Sequence, residues 1–335
     1  MMSEKIKAVG LISGGLDSAL AVRVIQEQDI EVIGLSCKHP FHADPPSGEK
    51  PYPERVAHEL GIKLVRPDVT DEMLAMVKNP PHGYGKHLNP CIDCRIIYLK
   101  EGASLMMEHG AKFLVTGEVL GQRPMSQRRD AMDIIDRDSE LRGLILRPLC
   151  AKLLKPAIPE EEGWVDRDML LDISGRSRKK QMELAKRFEL EQFSSPGGGC
   201  LLTMEDFARK MEDLIKNRDD LDRNDVDLLK SGRHFRLSPD AKLVVGKNDS
   251  DNKRIAGLAR SGDLVITSVD VPGPLGLLRG EGDEEKIKSA CGIIGRYIGR
   301  AKGSVKFSIK AASGEQKATV EVAPFDRNAL EDYRI

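Results

Sequence analysis

Six residues near the amino terminus, Ser13-Gly14-Gly15-Leu16-Asp17-Ser18, have the types and order of an anion cradle. They follow KAVGLI (7–12), an apolar run of strand length, and open DSALAVRVIQEQ (17–28), whose apolar residues recur at helical spacing. A strand that breaks into a Gly-Gly turn aims successive backbone N–H groups at one spot, because glycine takes the dihedrals that turn needs. The helix that follows adds the positive end of its dipole, and the serine hydroxyls add donors. Phosphate is the ligand such a cradle fits. The stretch is neither the P-loop GxxxxGK[ST] nor the dinucleotide GxGxxG.

Thiols are the second source of chemistry. LNPCIDCR (88–95) places Cys91 and Cys94 in a CxxC at a helix start, where the helix dipole favours thiolates. Cys200 follows three glycines in SSPGGGCLL, a loop able to carry its sulfur to another site. Three thiolates can hold a [4Fe–4S] cluster with one iron left open. Two other uses remain. Cys91 or Cys94 could carry a persulfide that Cys200 resolves, or the cysteines could bind structural zinc with His82 or His87 as fourth ligand. Cys37, Cys150 and Cys291 stand alone in apolar stretches and read as small buried hydrophobes.

The elements that must position these groups alternate strand and helix through the first half. EVIGLS (31–36), IKLVRP (62–67) and AKFLVTG (111–117) read as further strands, PERVAHEL (53–60) and about 92–109 as helices, and Thr70 as a helix start. This order implies a parallel sheet with helices on both faces, with ligands bound at the carboxyl ends of the strands. LRPLCAKLLKPAIPEEEGW reads as a connecting passage and SRKKQMELAKRFEL as an amphipathic helix. Past residue 230 come short strands with one intervening helix, 284–302, which implies a smaller α+β domain. The expected division is 1–203, a helical linker over 204–230, and 231–335.

With 335 residues, 31% of them charged, the composition is that of a globular protein of two or three domains. The formal net charge of -1 does not by itself point to nucleic acid. Residues 231–335 hold 18 Lys and Arg against 14 Asp and Glu, the rest 34 against 39, so the last part leans mildly basic. No apolar run approaches the roughly 20 residues of a membrane span, and no signal peptide is visible. A cytoplasmic location, reduced thiols and no membrane partner are the expectation.

SGGLDS resembles the pyrophosphate-binding loop of the N-type ATP pyrophosphatases, the PP-loop superfamily. The resemblance implies an adenine-nucleotide alpha-hydrolase-like fold in which ATP, with Mg2+, is cleaved between its α and β phosphates and AMP passes to a carbonyl oxygen. Ser13 to Ser18 would bind the nucleotide, and Asp17 would help hold the metal. LVTGEVLGQRPMSQ (114–127) is similar to the TGExLGQxxSQ segment of the 4-thiouridine synthetases, PP-loop enzymes of transfer RNA, and LRPL (146–149) also fits that family. By that likeness Gly117, Glu118, Gln122, Ser126 and Gln127 line the nucleotide site. The NPCxxC pattern is similar to that of the 2-thiouridine synthetases. Resemblance to cluster-dependent thiolases puts the iron–sulfur use of Cys91, Cys94 and Cys200 first among the three.

HFRLSPDAKLVVGKNDSDNKRIAGLA (234–259) resembles the NFACT-R domain, which implies RNA binding. Arg233, His234, Arg236, Lys242, Lys247, Lys253 and Arg254 could then contact phosphates. Only 4% of the chain is aromatic, so base stacking on a platform is not the expected mode. The implied whole is an ATP-dependent tRNA thiolase, with 4-thiouridine at position 8 favoured by the TGExLGQ segment and, as the alternative, 2-thiolation of a pyrimidine by persulfide chemistry favoured by the NPCxxC pattern. Its partners would be tRNA and a sulfur donor, sulfide or a cysteine desulfurase, and a homodimer is compatible. Two other classes are a zinc-containing PP-loop enzyme acting on a small molecule and a non-catalytic RNA-binding factor.

Overall fold

The computed structural model describes residues 5–45, 48–194, 199–299, 303–326 and 328–335. The chain divides into two compact units, Met1–Thr203 and Met204–Ile335.

The first unit runs β1 (Lys7–Leu11), α1 (Leu16–Gln26), β2 (Glu31–Leu35), α2 (Tyr52–Glu59), β3 (Leu64–Val65), α3 (Thr70–Lys78), α4 (Cys91–His109), β4 (Phe113–Val115), α5 (Arg129–Asp138), β5 (Ile145–Leu146), α6 (Ile158–Glu161) and α7 (Lys179–Arg187). The strands form one parallel sheet in the order β3-β2-β1-β4-β5. Helices cover both faces. Phe113 and Val115 join the core built with Leu16, Leu20 and Val22 of α1. Leu114, pointing the other way, lies against α4, where a Cβ on Gly102 would come within 2.7 Å of its Cδ2. The 62–67 strand shrinks to two residues. β5 falls in the passage read as a connection, and α5 carries no expectation at all.

The second unit runs α8 (Glu205–Asn217), α9 (Arg223–Leu229), β6 (Arg233–Ser238), β7 (Ala241–Val245), α10 (Asp249–Gly257), β8 (Leu264–Ser268), β9 (Gly276–Gly280), α11 (Glu284–Gly295), β10 (Val305–Ala311) and β11 (Gln316–Val322). Its sheet is antiparallel, in the order β11-β10-β8-β9-β7-β6. Leu243 and Val245 pack with Ile293 and Ile294 of α11, while Val244 packs with Leu228 of α9 and Ile255 of α10. The 204–230 stretch, expected to be a linker, is helical and lies within this unit. The last three residues of the expected 284–302 helix lie outside the described residues. No helix among the described residues is long and apolar enough to cross a membrane.

Candidate active site

β1 leads into the loop at Ile12, and α1 begins four residues later. Gly14 turns the chain with φ +81°, and a Cβ there would sit 2.6 Å from Tyr52 Cβ, so both its dihedral and its packing call for glycine. The serines brace the turn. Ser18 Oγ donates to the Gly15 carbonyl at 2.8 Å and lies 3.2 Å from Ser13 Oγ, while the Ser13 N–H donates to Ser18 Oγ at 3.3 Å. Ser13 is exposed and Gly15 half-buried, so the loop opens to solvent ahead of the α1 N-terminus.

The 117–127 segment reaches this loop through two residues. Gly117 lies so close to α1 that a Cβ would be 2.5 Å from the Asp17 carbonyl and the Ser18 nitrogen. Gln122 Nε2 donates to Asp17 Oδ2 at 2.7 Å. Asp17 Oδ1 is buried and has no hydrogen-bond partner. The polar chain continues to α7, where Gln181 Nε2 donates to Gln122 Oε1 at 3.4 Å. Gln181 is fully buried and was not singled out from the sequence, where it is one glutamine in a charged helix.

Glu118, Ser126 and Gln127 are all buried. Glu118 has several internal partners. Its carboxylate accepts from Arg147 Nε at 2.9 Å and from the Thr116 hydroxyl at 3.2 Å, and it pairs with Arg95 Nε at 3.1 Å. Burial by itself would push the Glu118 carboxyl up, but Arg147 and Arg95 outweigh it and hold the group below its ordinary range. Arg147 in turn grips Asp136 at 2.6 and 2.9 Å. The glutamate carboxylate is thus engaged by two arginines. Ser126 and Gln127 lie in a loop closed by the Gly121 N–H to Gln127 carbonyl bond of 2.7 Å.

The cysteines gather at the first turn of α4. Asn89 Nδ2 donates to Cys91 Sγ at 3.2 Å. Cys200 is brought in by a short antiparallel pairing of its backbone with His42, flanked by the Leu201 N–H to Phe41 carbonyl bond of 2.8 Å. Burial pushes the Cys200 thiol up to about 12, and the neighbouring Cys94 and Cys91 add to that rise. Cys94 is pushed up to about 11, again chiefly by burial, which overrides the thiolate expected at a helix start. Cys94 and Cys91 thus lie near enough to Cys200 to act on its charge. Cys37 is buried as a core residue yet senses Cys94, and burial pushes it up to about 12. Two of the three glycines before Cys200, Gly197 and Gly198, lie outside the described residues.

Of the two histidines offered to zinc, His82 is engaged elsewhere. His82 Nδ1 meets Asp93 Oδ1 at 2.7 Å and its Nε2 meets Asp138 Oδ2 at 3.0 Å, so neither ring nitrogen is offered to the cysteines. Among the described residues no group of three or more His, Cys, Asp or Glu is set to hold a single metal ion.

Cradle and cysteines share one edge of the sheet. α1 starts where β1 ends, and α4 leads through Gly110 into the start of β4, so it runs back along the sheet and both helices begin at the carboxyl edge. The Ser194 N–H donates to the Gly14 carbonyl at 2.9 Å. Six residues on comes Cys200, so its Cα lies within about 20 Å of that contact even along a fully extended chain.

In the second unit three of the seven expected phosphate contacts are used internally. His234 is buried, donates from Nε2 to the Ser231 carbonyl at 2.8 Å, and is held neutral by burial. Arg236 grips Asp213 at 2.6 and 3.0 Å. Lys242 is buried against the same carboxylate at 3.2 Å, and burial pushes its amine down to about 8. Arg233 donates to the Gly246 carbonyl at 3.1 Å and stacks over Tyr297. Lys247 and Lys253 are exposed, and Arg254 is half-buried.

Residues 3–153 match the family described as thiamine biosynthesis protein (ThiI), and residues 232–334 match the NFACT protein RNA binding domain. A probable tRNA sulfurtransferase from Thermococcus kodakarensis is 33% identical over 155 residues, covering 43% of this chain and 36% of the relative. A tRNA-specific 2-thiouridylase from Pelotomaculum thermopropionicum is 27% identical over 209 residues, covering 53% and 55%. The chain therefore spans less than two thirds of the length of either relative. The structure of the U34-tRNA thiolase NcsA from Methanococcus maripaludis with its [4Fe-4S] cluster aligns at 18% identity, covering 66% of this chain and 69% of that one, with a TM-score of 0.32, too low to bear on function. By these matches residues 3–153 are similar to the ThiI family and residues 232–334 to the NFACT protein RNA binding domain.

Proposed function

We propose that the protein is an ATP-dependent tRNA thiolase. The observation that carries this reading is the common edge of the sheet, where a phosphate cradle and three gathered cysteines stand within one unit. The names of the two curated relatives support tRNA as the substrate and sulfur as the group transferred.

The chain's own groups divide the work. The loop Ser13–Ser18 and the α1 N-terminus hold the phosphates of ATP. Asp17 Oδ1, buried and unpartnered, fits an oxygen ligand to Mg2+, while Gln122 fixes the other oxygen. A uridine carbonyl oxygen attacks the α-phosphorus and pyrophosphate leaves. Sulfur supplied at the cysteine centre then displaces AMP, which carries the original oxygen away. Sulfide or a cysteine desulfurase would be the donor.

Cys91, Cys94 and Cys200 fit a [4Fe–4S] cluster, because Cys94 and Cys91 lie near enough to Cys200 to act on its charge and Asn89 donates to one of the sulfurs. Such a cluster, when bound, supplies an iron free of protein ligands that can hold the incoming sulfur. The TGExLGQ segment favours 4-thiouridine as the product. In the second unit the exposed Lys247 and Lys253 are the groups offered to RNA phosphates. The test is ATP-dependent pyrophosphate release that requires tRNA. Release by the wild-type chain and its loss in Asp17→Asn is the expected result, and absence of release with bulk tRNA would overturn the reading.

A further inference from the structure

Two loops beside the nucleotide cradle gather cations without acids. Residues 121–129 hold Arg123, Arg128 and Arg129, and residues 174–180 hold Arg176, Arg178, Lys179 and Lys180, with no Asp or Glu in either. Residues 1–203 as a whole carry 28 Lys and Arg against 30 Asp and Glu, so the positive charge is concentrated locally in a unit whose bulk charge is not basic.

The fold lays the two loops side by side. Leu120 pairs with Ser174 in parallel, the Gly175 N–H donates to the Leu120 carbonyl at 2.8 Å, and a Cβ on Gly121 would lie 3.7 Å from the Gly175 nitrogen. The Gly121 N–H bond to the Gln127 carbonyl returns Arg128 to the same place. The 121–129 loop then has two faces. Gln122 turns to Asp17, and Ser126 and Gln127 are buried, whereas Arg123, Arg128 and Arg129 are exposed.

Internal partners absorb only part of the charge. Arg128 pairs with Asp130 at 2.7 Å, Lys180 pairs with Asp172 at 2.9 Å, and Arg129 donates to the Leu153 carbonyl at 2.7 Å. Arg123, Arg176 and Lys179 are exposed and make no ion pair among the described residues. α7 opens on Lys179 and Lys180 with Arg178 as its N-cap, and its first turn has no acidic residue. Cations at the positive end of a helix oppose its dipole, so folding alone does not account for this placement.

We propose that this face is an RNA-docking surface on the first unit, where Arg123, Arg176 and Lys179 contact phosphates of the substrate strand and lead it past the nucleotide loop. Naming RNA as the polyanion rests on the proposed function. The phosphates of ATP are the rival for these charges, and the loop's two faces argue against them: Gln122 meets Asp17, while Arg123 beside it is exposed. Three outward cations spread over two loops suit a chain of phosphates better than one compact triphosphate.

Direct binding of tRNA to the full-length protein across a salt series tests the face. Arg123→Gln, Arg176→Gln and Lys179→Gln combined should lower the slope of log affinity against log salt by about 2 to 3, as loss of three phosphate contacts does. Lys112→Gln with Arg142→Gln removes two exposed cations just ahead of β4 and β5, at the opposite edge of the sheet, and should keep the wild-type slope. ATP affinity measured without tRNA should be retained in the triple variant, which also shows that the unit is folded. An unchanged slope in the triple variant, or a loss of ATP affinity with the slope kept, would overturn the face. The expected fall in slope, found in a protein that releases no pyrophosphate, would support the face and count against the proposed function.

Discussion

Gln122 Nε2 donates to Asp17 Oδ2 at 2.7 Å, so two sequence signatures 105 residues apart meet in one hydrogen bond. A carboxylate only accepts, so the amide nitrogen must face Asp17 and the amide oxygen must face Gln181. Gln122→Leu removes a bond to a charged group worth about 1.5–3 kcal/mol. We expect roughly 10- to 100-fold lower kcat/KM for ATP in pyrophosphate release. Gln181→Leu, which loses a longer neutral bond, should cost only about fivefold. A Gln122→Leu enzyme with normal kinetics would show that the bond does not position Asp17.

Glu118 belongs to the framework. Replacing it with glutamine leaves Arg147 and Arg95 facing a neutral amide in a buried site. The expected loss is about 3–5 kcal/mol of stability, measured by urea unfolding. Unchanged stability with selective loss of ATP binding would return this glutamate to the nucleotide site.

The thiols should show their burial in a pH series. Below its pKa a thiol gains about tenfold in thiolate per pH unit. For Cys94 and Cys200, at about 11 and about 12 in the iron-free protein, alkylation should still rise by nearly 100-fold between pH 8 and 10. An ordinary thiol near 9.0 gains about tenfold over that window and then levels off. Levelling at pH 9 for both residues would contradict the buried centre.

RNA binding should depend on the exposed lysines. Lys247→Ala with Lys253→Ala should lower the slope of log affinity against log salt by about 1.5, as loss of two phosphate contacts does. Lys242→Met should leave that slope unchanged, because its amine is spent on Asp213. A larger effect from Lys242 than from the exposed pair would reverse this assignment.

Local sequence carried much of the fold. β1, β2, α1 and α4 announce themselves through apolar runs and helical spacing, and SGGLDS marks its own turn. β5 escaped because two paired residues make no periodic signal, and α5 because RDAMDIIDRD buries only Ala131, Met132 and Ile135. The site divides in the same way. The cradle is contiguous and readable, whereas His39–Tyr98 and Gln122–Gln181 each span 59 residues and exist only in the folded chain. Arg236 and Lys242 looked free for phosphate because Asp213, their partner, lies 23 and 29 positions away.

Nucleoside mass spectrometry of tRNA incubated with the iron-loaded protein, ATP and sulfide tests the central claim most directly. The account predicts a thiolated uridine, 4-thiouridine, that appears with wild type and vanishes without ATP or in Cys200→Ser. No sulfur-containing nucleoside with wild type, or the same yield from Cys200→Ser, would contradict it.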